Sequence, residues 1–295
     1  MINHMKSEKT QGLIVNIAIY IFAFSIAFIP YYFASESIGP VWSMFVFTTV
    51  ATLILYAFCL IFKNTSIYDP YWSVAPFVMT VLHIIRFYTF NFNSLIFLIL
   101  VFIYAFRLTR NWYLTYRGLD PKYEDWRYQK YRQTLSPFKF QVVNFFGLIF
   151  FPTYVVFAAF LPGIYFMSLR TLTYLSFIGL ALMLAGPILE FIADHQVHKF
   201  IKENNDHSKV CNIGLWKYSR HPNYLGELTF WLGIALTFLF SDLAHWYFAL
   251  GFLPMLLLFL FISIPLMEKH NLEKRPEYAE YKRHTSLLLI LPRRK

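Results

Sequence analysis

Long apolar runs constrain the fold of this chain more than any other feature. A helix needs about 20 consecutive apolar residues to cross the hydrocarbon core of a bilayer, and eight runs approach or exceed that length. Charged residues make up only 14% of the chain, against about a quarter in soluble domains. We therefore predict an all-α polytopic membrane bundle with about eight transmembrane helices. The predicted spans are 13–33, 41–62, 74–90, 94–112, 142–166, 172–194, 222–240 and 245–267.

The basic residues are distributed unevenly around these spans. Of 26 Lys and Arg residues, 22 fall in segments that lie on one side if the chain crosses eight times. By the positive-inside rule, both termini are predicted to be cytoplasmic. Topology and attraction to anionic membrane lipid explain such an excess, and a polyanionic cofactor is a further possibility. No nucleic-acid partner is expected, because the charges flank membrane spans and no binding module is recognisable.

Two polar groups stand beside the third and fourth predicted helices. Asp69 precedes Pro70, where it could cap the free amides of the first turn or orient another side chain. Tyr104, Arg107 and Asn111 are three and four residues apart, so they share one helix face. A buried tyrosine needs a hydrogen-bond partner and suits a general acid. Plain aromatic packing and snorkelling of the arginine are the alternatives.

The inner end of the sixth predicted helix carries another polar face. Glu190, Asp194 and His198 recur every four residues there. Ionisable residues inside a span are costly and are therefore candidates for function. His195 and His198 have the spacing of metal ligands, but the sequence contains no second pair of closely spaced histidines. We therefore predict no metal site.

The stretch "IGLWKYSRHPNYLGE", residues 213–227, places many polar groups at the start of the seventh predicted helix. Asn223 and Glu227 are four residues apart on one face. Arg220 and His221 stand just outside the helix, whose amino terminus attracts anions. This pattern predicts a site that receives a phosphate or a carboxylate.

The tail "EKHNLEKRPEYAEYKRHTSLLLILP", residues 268–292, predicts a short amphipathic helix that contains Tyr278 and Tyr281. Such a helix could lie in the membrane interface. It could also close the polar site from the cytoplasmic side as a lid.

Together these motifs resemble those of a known family. "GLWKYSRHPNYLGE", with "EFIAD" before it and "RPEYAEY" after it, resembles the carboxy-terminal domain of steroid 5α-reductases and of their mostly bacterial relatives. Sterol C14- and C7-reductases share the signature R-H-x-N-Y-x-G-[DE]. The resemblance covers about residues 67–292 and implies a seven-helix reductase core. It separates an extra amino-terminal helix, 1–40, from a reductase-like membrane domain, 41–295, whose nucleotide-binding part is about 142–292.

The resemblance also implies a site. It places the catalytic pair of the family on Tyr104 and Asp69, where the steroid enzymes have a glutamate instead of the aspartate. It implies NADPH in the cytoplasmic half of the bundle, although the steroid enzymes carry arginines in place of His198 and Lys202, which leaves NADH open. The expected cofactor-binding residues are Arg107, Asn111, Glu190, Asp194, His198, Lys202, Trp216, Arg220, His221, Asn223, Tyr224, Glu227, Glu268, His270 and Tyr278.

The implied function is the NAD(P)H-dependent reduction of a carbon–carbon double bond conjugated to a carbonyl. The substrate would be a hydrophobic steroid-like or lipid molecule that enters from the membrane. Tyr104, held by Asp69, would stabilise the developing enolate. The alternatives are an S-adenosylmethionine-dependent membrane methyltransferase of the isoprenylcysteine or phospholipid type and a non-enzymatic nucleotide-binding membrane protein. A bacterial inner membrane is favoured over the endoplasmic reticulum, with the active site facing the cytoplasm.

Overall fold

The computed structural model describes residues 2–204, 206 and 208–293. This part of the chain is helical, and its one β contact is an isolated bridge between Ser219 and Ser286. The all-α prediction is confirmed. The helices are α1 (Ile2–Ser37), α2 (Gly39–Ile61), α3 (Tyr71–Arg86), α4 (Phe92–Thr115), α5 (Trp126–Thr134), α6 (Pro137–Val142), α7 (Phe151–Ser168), α8 (Ser176–Glu203), α9 (Pro222–Ser241), α10 (Phe252–Leu258), α11 (Ile264–Lys274) and α12 (Tyr278–His284).

Seven helical segments in the described part of the chain are long and apolar enough to cross a membrane. Two of them join several elements: a π-helical turn connects α6 to α7, and another connects α10 to α11. The polytopic, multi-pass character predicted from the apolar runs is confirmed. The segments are Ser7–Ser37, Gly39–Ile61, Phe92–Thr115, Pro137–Ser168, Ser176–Glu203, Pro222–Ser241 and Leu243–Lys274.

The helix predicted over 74–90 is present as α3, but it is shorter than the seven. Its 16 residues extend about 24 Å, less than the roughly 30 Å hydrocarbon core of a bilayer. It begins beside the end of α2. At its other end, Arg86 Nε donates to Ser35 Oγ at 2.6 Å, near the end of α1. The far end of α3 therefore lies beside the end of α1, and a membrane crossing by α3 stays a prediction.

The chain forms two compact units. The first comprises Met1–Ser94 and Leu108–Phe157, and the second comprises Leu95–Arg107 and Ala158–Lys295. α4 and α7 each contribute residues to both units. The polar residues that the sequence singles out are divided between the two units.

Hydrogen bonds in the first unit bring three of the predicted basic segments to one end. Lys9 Nζ, near the start of α1, donates to the carbonyl of Tyr113 at 2.8 Å. The backbone N–H of Thr65, just after α2, donates to Glu124 Oε1 at 2.8 Å. The amino-terminal segment, the turn after α2 and the segment after α4 therefore share an end of this unit, as the positive-inside rule predicts. Which side of the membrane this end faces stays a prediction.

α8 and α9 pack closely in the second unit, because glycines line their contact. A Cβ at Gly226 of α9 would overlap Glu190 Cγ and lie 2.7 Å from the carbonyl oxygen of Gly186 on α8. Small residues let helix backbones approach in this way inside membranes. The close approach brings the carboxyl groups of Glu190 and Glu227 into one layer of the unit.

α8 is longer than its predicted span of 172–194, because it continues to Glu203. The extension carries His198 and Lys202, which the polar face of the sixth predicted helix includes although the apolar span stops at 194. Hydropathy marks the part of a helix that lies in the membrane, and it gives no signal for polar turns beyond it. The predicted end of this helix was therefore wrong, although its existence was right.

Candidate functional site

The centre of the candidate site is a tyrosine–carboxylate pair in the second unit. Tyr104 of α4 donates from its hydroxyl to Glu227 Oε1 of α9 at 2.7 Å. Trp231 Nε1 donates to the same oxygen at 2.8 Å from one turn further along α9. The ring of Tyr104 stacks on Phe230 with a centroid separation of 3.9 Å. All four side chains are buried, so the pair is held in one orientation and shielded from water.

An arginine bridges two further carboxylates one turn along α4. Arg107 donates to Glu190 Oε2 and to Asp194 Oδ2, both on α8. The other oxygen of Glu190, Oε1, is buried and has no hydrogen-bond partner among the described residues. The face of Glu190, Asp194 and His198 predicted from sequence therefore forms, and its first two residues point at Arg107. With Glu227, this interior holds three carboxyl groups and one guanidinium.

Asn223 extends this network to the start of α9. Its side chain lies within hydrogen-bonding reach of Asp194, and His198 is close enough to interact electrostatically with the same carboxyl. Lys202, four residues beyond His198, is exposed. The structure thus connects Asn223 and His198 to the arginine network, whereas Lys202 lies at its solvent edge.

A second group of charges lies just before α9. Arg220 Nε is 3.0 Å from Glu268 Oε1, Lys282 Nζ is 2.6 Å from Glu268 Oε2, and His221 Nε2 is 3.6 Å from Glu268 Oε1. Burial lowers the pKa of His221, although Glu268 opposes that shift. With His221 neutral at pH 7, one carboxylate faces two permanent cations. This surplus of positive charge suits the anion-receiving role predicted for Arg220 and His221.

The tail packs over the same segment. The backbone N–H of Arg220 donates to the carbonyl of Ser286 at 2.9 Å, and the hydroxyl of Tyr281 donates to the carbonyl of Trp216 at 2.5 Å. Tyr278 is 3% exposed, and burial raises its pKa to about 12. The amphipathic tail helix is confirmed as α12, and the tail packs against the residues that lead into α9. Whether it acts as a lid or as an interfacial helix stays a prediction.

The remaining predicted residues differ in their contacts. Trp216 Nε1 donates to the carbonyl of Ala193 on α8 at 2.9 Å, which fixes the approach to α9. The ring of Tyr224 stacks against that of His221, with centroids 5.3 Å apart. His270 lies on α11 in the second unit, and Asn111 lies on α4 in the part assigned to the first unit. Cofactor contacts for all of these residues stay predictions.

Asp69 has a different environment from the one expected. Its Oδ1 accepts a 2.6 Å hydrogen bond from the hydroxyl of Tyr128 on α5, within the first unit. α3 starts without a side-chain cap, so the capping interpretation of Asp69 is wrong. Burial and the nearby Asp125 raise the pKa of Asp69 to about 7, although Arg127 and Tyr128 oppose the shift. Glu227 holds the hydroxyl of Tyr104, the position that the sequence reasoning gave to Asp69; a catalytic role for Asp69 stays a prediction.

Comparison with known proteins places the chain in a family. A family model described as "Protein of unknown function (DUF1295)" matches residues 55–285. The chain belongs to the DUF1295 family. The uncharacterized protein C594.04c of Schizosaccharomyces pombe (strain 972 / ATCC 24843) is 26% identical to it over 252 residues, which cover 74% of this chain and 70% of that protein. No solved structure matches the chain.

The DUF1295 match contains the whole of both polar networks. It begins within α2, so α1 lies outside it, and it ends at residue 285, just after α12. Tyr104, Glu227 and Lys282 therefore all belong to the part of the chain that defines this membership. The division of the chain at residue 40 stays a prediction.

Sequence reasoning missed three residues that contact predicted site residues: Trp231, Lys282 and Tyr128. Trp231 lies one turn after Glu227, and its spacing of four could have indicated a shared face. Lys282 belongs to a basic run in the tail and has no local signal that it faces Glu268. Tyr128 lies in a charged segment without apolar periodicity, so nothing in the sequence associates it with Asp69.

Proposed function

We propose that this DUF1295 protein is an NAD(P)H-dependent membrane reductase. It would reduce a carbon–carbon double bond conjugated to a carbonyl in a hydrophobic, steroid-like or lipid molecule. The observation that carries the proposal is the buried hydrogen bond of 2.7 Å between Tyr104 and Glu227. In this pair Tyr104 is the proton donor, and Glu227 is a second acid that can return a proton to it. Both side chains lie in an interior from which water is excluded.

Tyr104 is the catalytic residue in this proposal. Its hydroxyl donates to the carbonyl oxygen of the substrate and stabilises the negative charge that develops there as the double bond is reduced. The step reverses the observed hydrogen bond: once the hydroxyl of Tyr104 turns to the substrate, a protonated Glu227 donates to the tyrosine oxygen, and the tyrosine releases its own proton to the enolate oxygen. Trp231 holds Glu227 in place, and Phe230 holds the ring of Tyr104. Tautomerisation of the enol then gives the saturated carbonyl product.

The residues around α9 fit a dinucleotide cofactor. Arg220 and Lys282 carry the cationic N–H groups that phosphates need, and the amino terminus of α9 adds free backbone amides. Glu190 keeps a buried oxygen, Oε1, without a hydrogen-bond partner among the described residues, which suits a hydroxyl or amide of a ligand. A bound nicotinamide would supply the hydride. The protein would orient the cofactor and the substrate and exclude water from them.

One observation favours a second candidate, an S-adenosylmethionine-dependent methyltransferase. Glu190, Asp194 and Glu227 share only Arg107 as a nearby permanent cation in the described part of the second unit. Buried charge needs compensation, and a positively charged sulfonium would provide it. Protonation of the carboxyl groups would remove the uncompensated charge equally well. The reductase mechanism requires this protonated state of Glu227.

The first test is the thermal stability of the detergent-purified protein with NADPH, NADH, S-adenosylmethionine or no ligand. A ligand that binds the folded state raises the apparent midpoint. The proposal expects a rise with a nicotinamide cofactor and none with S-adenosylmethionine. A rise with S-adenosylmethionine alone would replace the reductase with the methyltransferase.

The second test separates binding from chemistry. Oxidation of the bound cofactor is followed with a panel of hydrophobic enones, for the wild type and for Tyr104→Phe. We expect the variant to keep the cofactor-induced rise in midpoint and to lose turnover by at least about a hundredfold, the usual contribution of a general acid. Cofactor binding without turnover of any enone by the wild type would favour the non-enzymatic alternative.

A further inference from the structure

A cavity lies in the first unit, and none of its lining residues belongs to the networks around Glu227 and Glu268. It has a volume of about 470 Å³ and is lined by Arg132, Pro137, Phe138, Phe140 and Gln141. Most of this lining is apolar, with one cation and one amide. The side chain of Phe138 is 79% exposed, so one wall of the cavity is an aromatic ring turned outward. We call it the Phe138 cavity.

The position of the Phe138 cavity follows from the helices around it. Pro137 is the first residue of the candidate span Pro137–Ser168. Arg132 Nη2 donates to the carbonyl of Lys63 at 3.3 Å, just beyond the end of α2. The cavity therefore lies where two spanning helices end, which is the level of lipid headgroups in a bilayer. Exposed aromatic residues are enriched at that level.

The charge around the Phe138 cavity is positive. Residues 117–139 contain six Lys and Arg against three Asp and Glu. Arg132 lies over the ring of Phe140 at 4.3 Å and is paired with the buried Glu124. Lys139, directly after Phe138, is exposed and makes no ion pair with a carboxylate in the described part of the chain. Lys139 does not line the cavity, but its ammonium group is available to an anionic group at the same end of the unit.

We propose that the Phe138 cavity binds an anionic phospholipid of the adjoining leaflet. The phosphate would lie beside Lys139 and the outer edge of Arg132, and the first part of an acyl chain would lie against Pro137 and Phe138. A zwitterionic lipid would bring its own cation to compete with Lys139 for the phosphate, and a soluble phosphate would leave the aromatic wall unused. The site is independent of the proposed reductase activity, since none of its residues belongs to the networks around Glu227 and Glu268.

The test compares lipid nanodiscs of phosphatidylcholine with nanodiscs that also contain phosphatidylglycerol. The site variant carries Phe138→Ala and Lys139→Gln. The matched control carries Tyr174→Ala and Arg170→Gln, an exposed aromatic and an exposed cation in the short loop before α8. Arg132 is kept, because its loss would leave Glu124 buried without a partner. Native mass spectrometry counts retained phosphatidylglycerol, and thermal unfolding measures the stability that it confers.

We expect phosphatidylglycerol to raise the midpoint of the wild type and of the control variant. The site variant should bind this lipid at least about fivefold more weakly, because one basic residue near an anionic lipid contributes about that factor. Equal losses in the site and control variants would overturn the proposal, as would retention of the lipid by the site variant. A rise of the same size with millimolar inorganic phosphate in neutral nanodiscs would replace the lipid with a soluble anion.

Discussion

The hydroxyl of Tyr104 and the carboxyl of Glu227 meet at 2.7 Å, although 123 residues separate them in the sequence. Trp231 donates to the same carboxyl oxygen at 2.8 Å. Two donors on one oxygen fix the carboxyl group more firmly than either could alone. The pair is also the point at which α4 and α9 make a polar contact inside an otherwise apolar interior.

We predict that the two donors are energetically coupled through Glu227. Tyr104→Phe and Trp231→Phe should each lower the free energy of unfolding by about 1–3 kcal/mol, since each removes a buried hydrogen bond. The double variant should cost more than the sum of the two single losses, because it alone leaves Oε1 without a donor. The free energies are measured by unfolding in detergent and combined as a double-mutant cycle. Strict additivity would mean that the two donors act independently.

We predict that Arg107 is the most sensitive charged residue of the second unit. Arg107→Met should lower the free energy of unfolding by about 3–5 kcal/mol, because it leaves Glu190 and Asp194 buried without their cation. Arg110→Met is the matched control on the same helix, where the side chain is exposed and a loss within about 0.5 kcal/mol is expected. Adding Glu190→Gln to the Arg107 variant should recover part of its loss. Failure to recover any would show that packing, rather than charge, makes Arg107 essential.

The sequence predicts those features of this protein that neighbouring residues determine, and it does not predict those that depend on contacts between distant segments. Apolar runs located the helices, because each run reports on its own burial in lipid. They did not locate the polar end of α8 at Glu203 or the helix α5, since neither lies in an apolar run. Tyr104 and Glu227 were each predicted to belong to the site for local reasons. Their pairing, and that of Asp69 with Tyr128, could not be predicted, because it depends on contacts between distant segments.

We predict that Asp69 gives the stability of the protein a pH dependence between about pH 4 and 7. The pKa of Asp69 is raised from 3.8 to about 7 in the folded protein. The folded state therefore holds a proton that the unfolded state has released, so stability falls as the pH rises through that window and levels off above it. Asp69→Asn cannot ionise and should lack this fall, which thermal midpoints measured from pH 4.5 to 8 would reveal.

Asp120 provides the control for the pH experiment. It lies in the same unit, and the backbone N–H of Lys122 holds its pKa below the usual value. Asp120→Asn should therefore leave the pH dependence between 4.5 and 8 unchanged. If Asp69→Asn and the wild type lose stability equally over this range, Asp69 is ionised in the folded protein throughout it and its pKa is not raised.

We predict that Gly226 cannot be replaced even by alanine. A Cβ at this position would overlap Glu190 Cγ and lie 2.7 Å from the Gly186 carbonyl oxygen, so α8 and α9 would have to separate. Since that contact also positions Glu190 and Glu227, Gly226→Ala should lower the free energy of unfolding by at least about 2 kcal/mol, a typical cost of overpacking a core. Gly147→Ala is the control, because its nearest neighbour would be Val143 Cγ1 at 3.9 Å, and it should be neutral or slightly stabilising. The two variants are compared by unfolding in the same detergent; equal effects would mean that the glycine contact between α8 and α9 does not limit their approach.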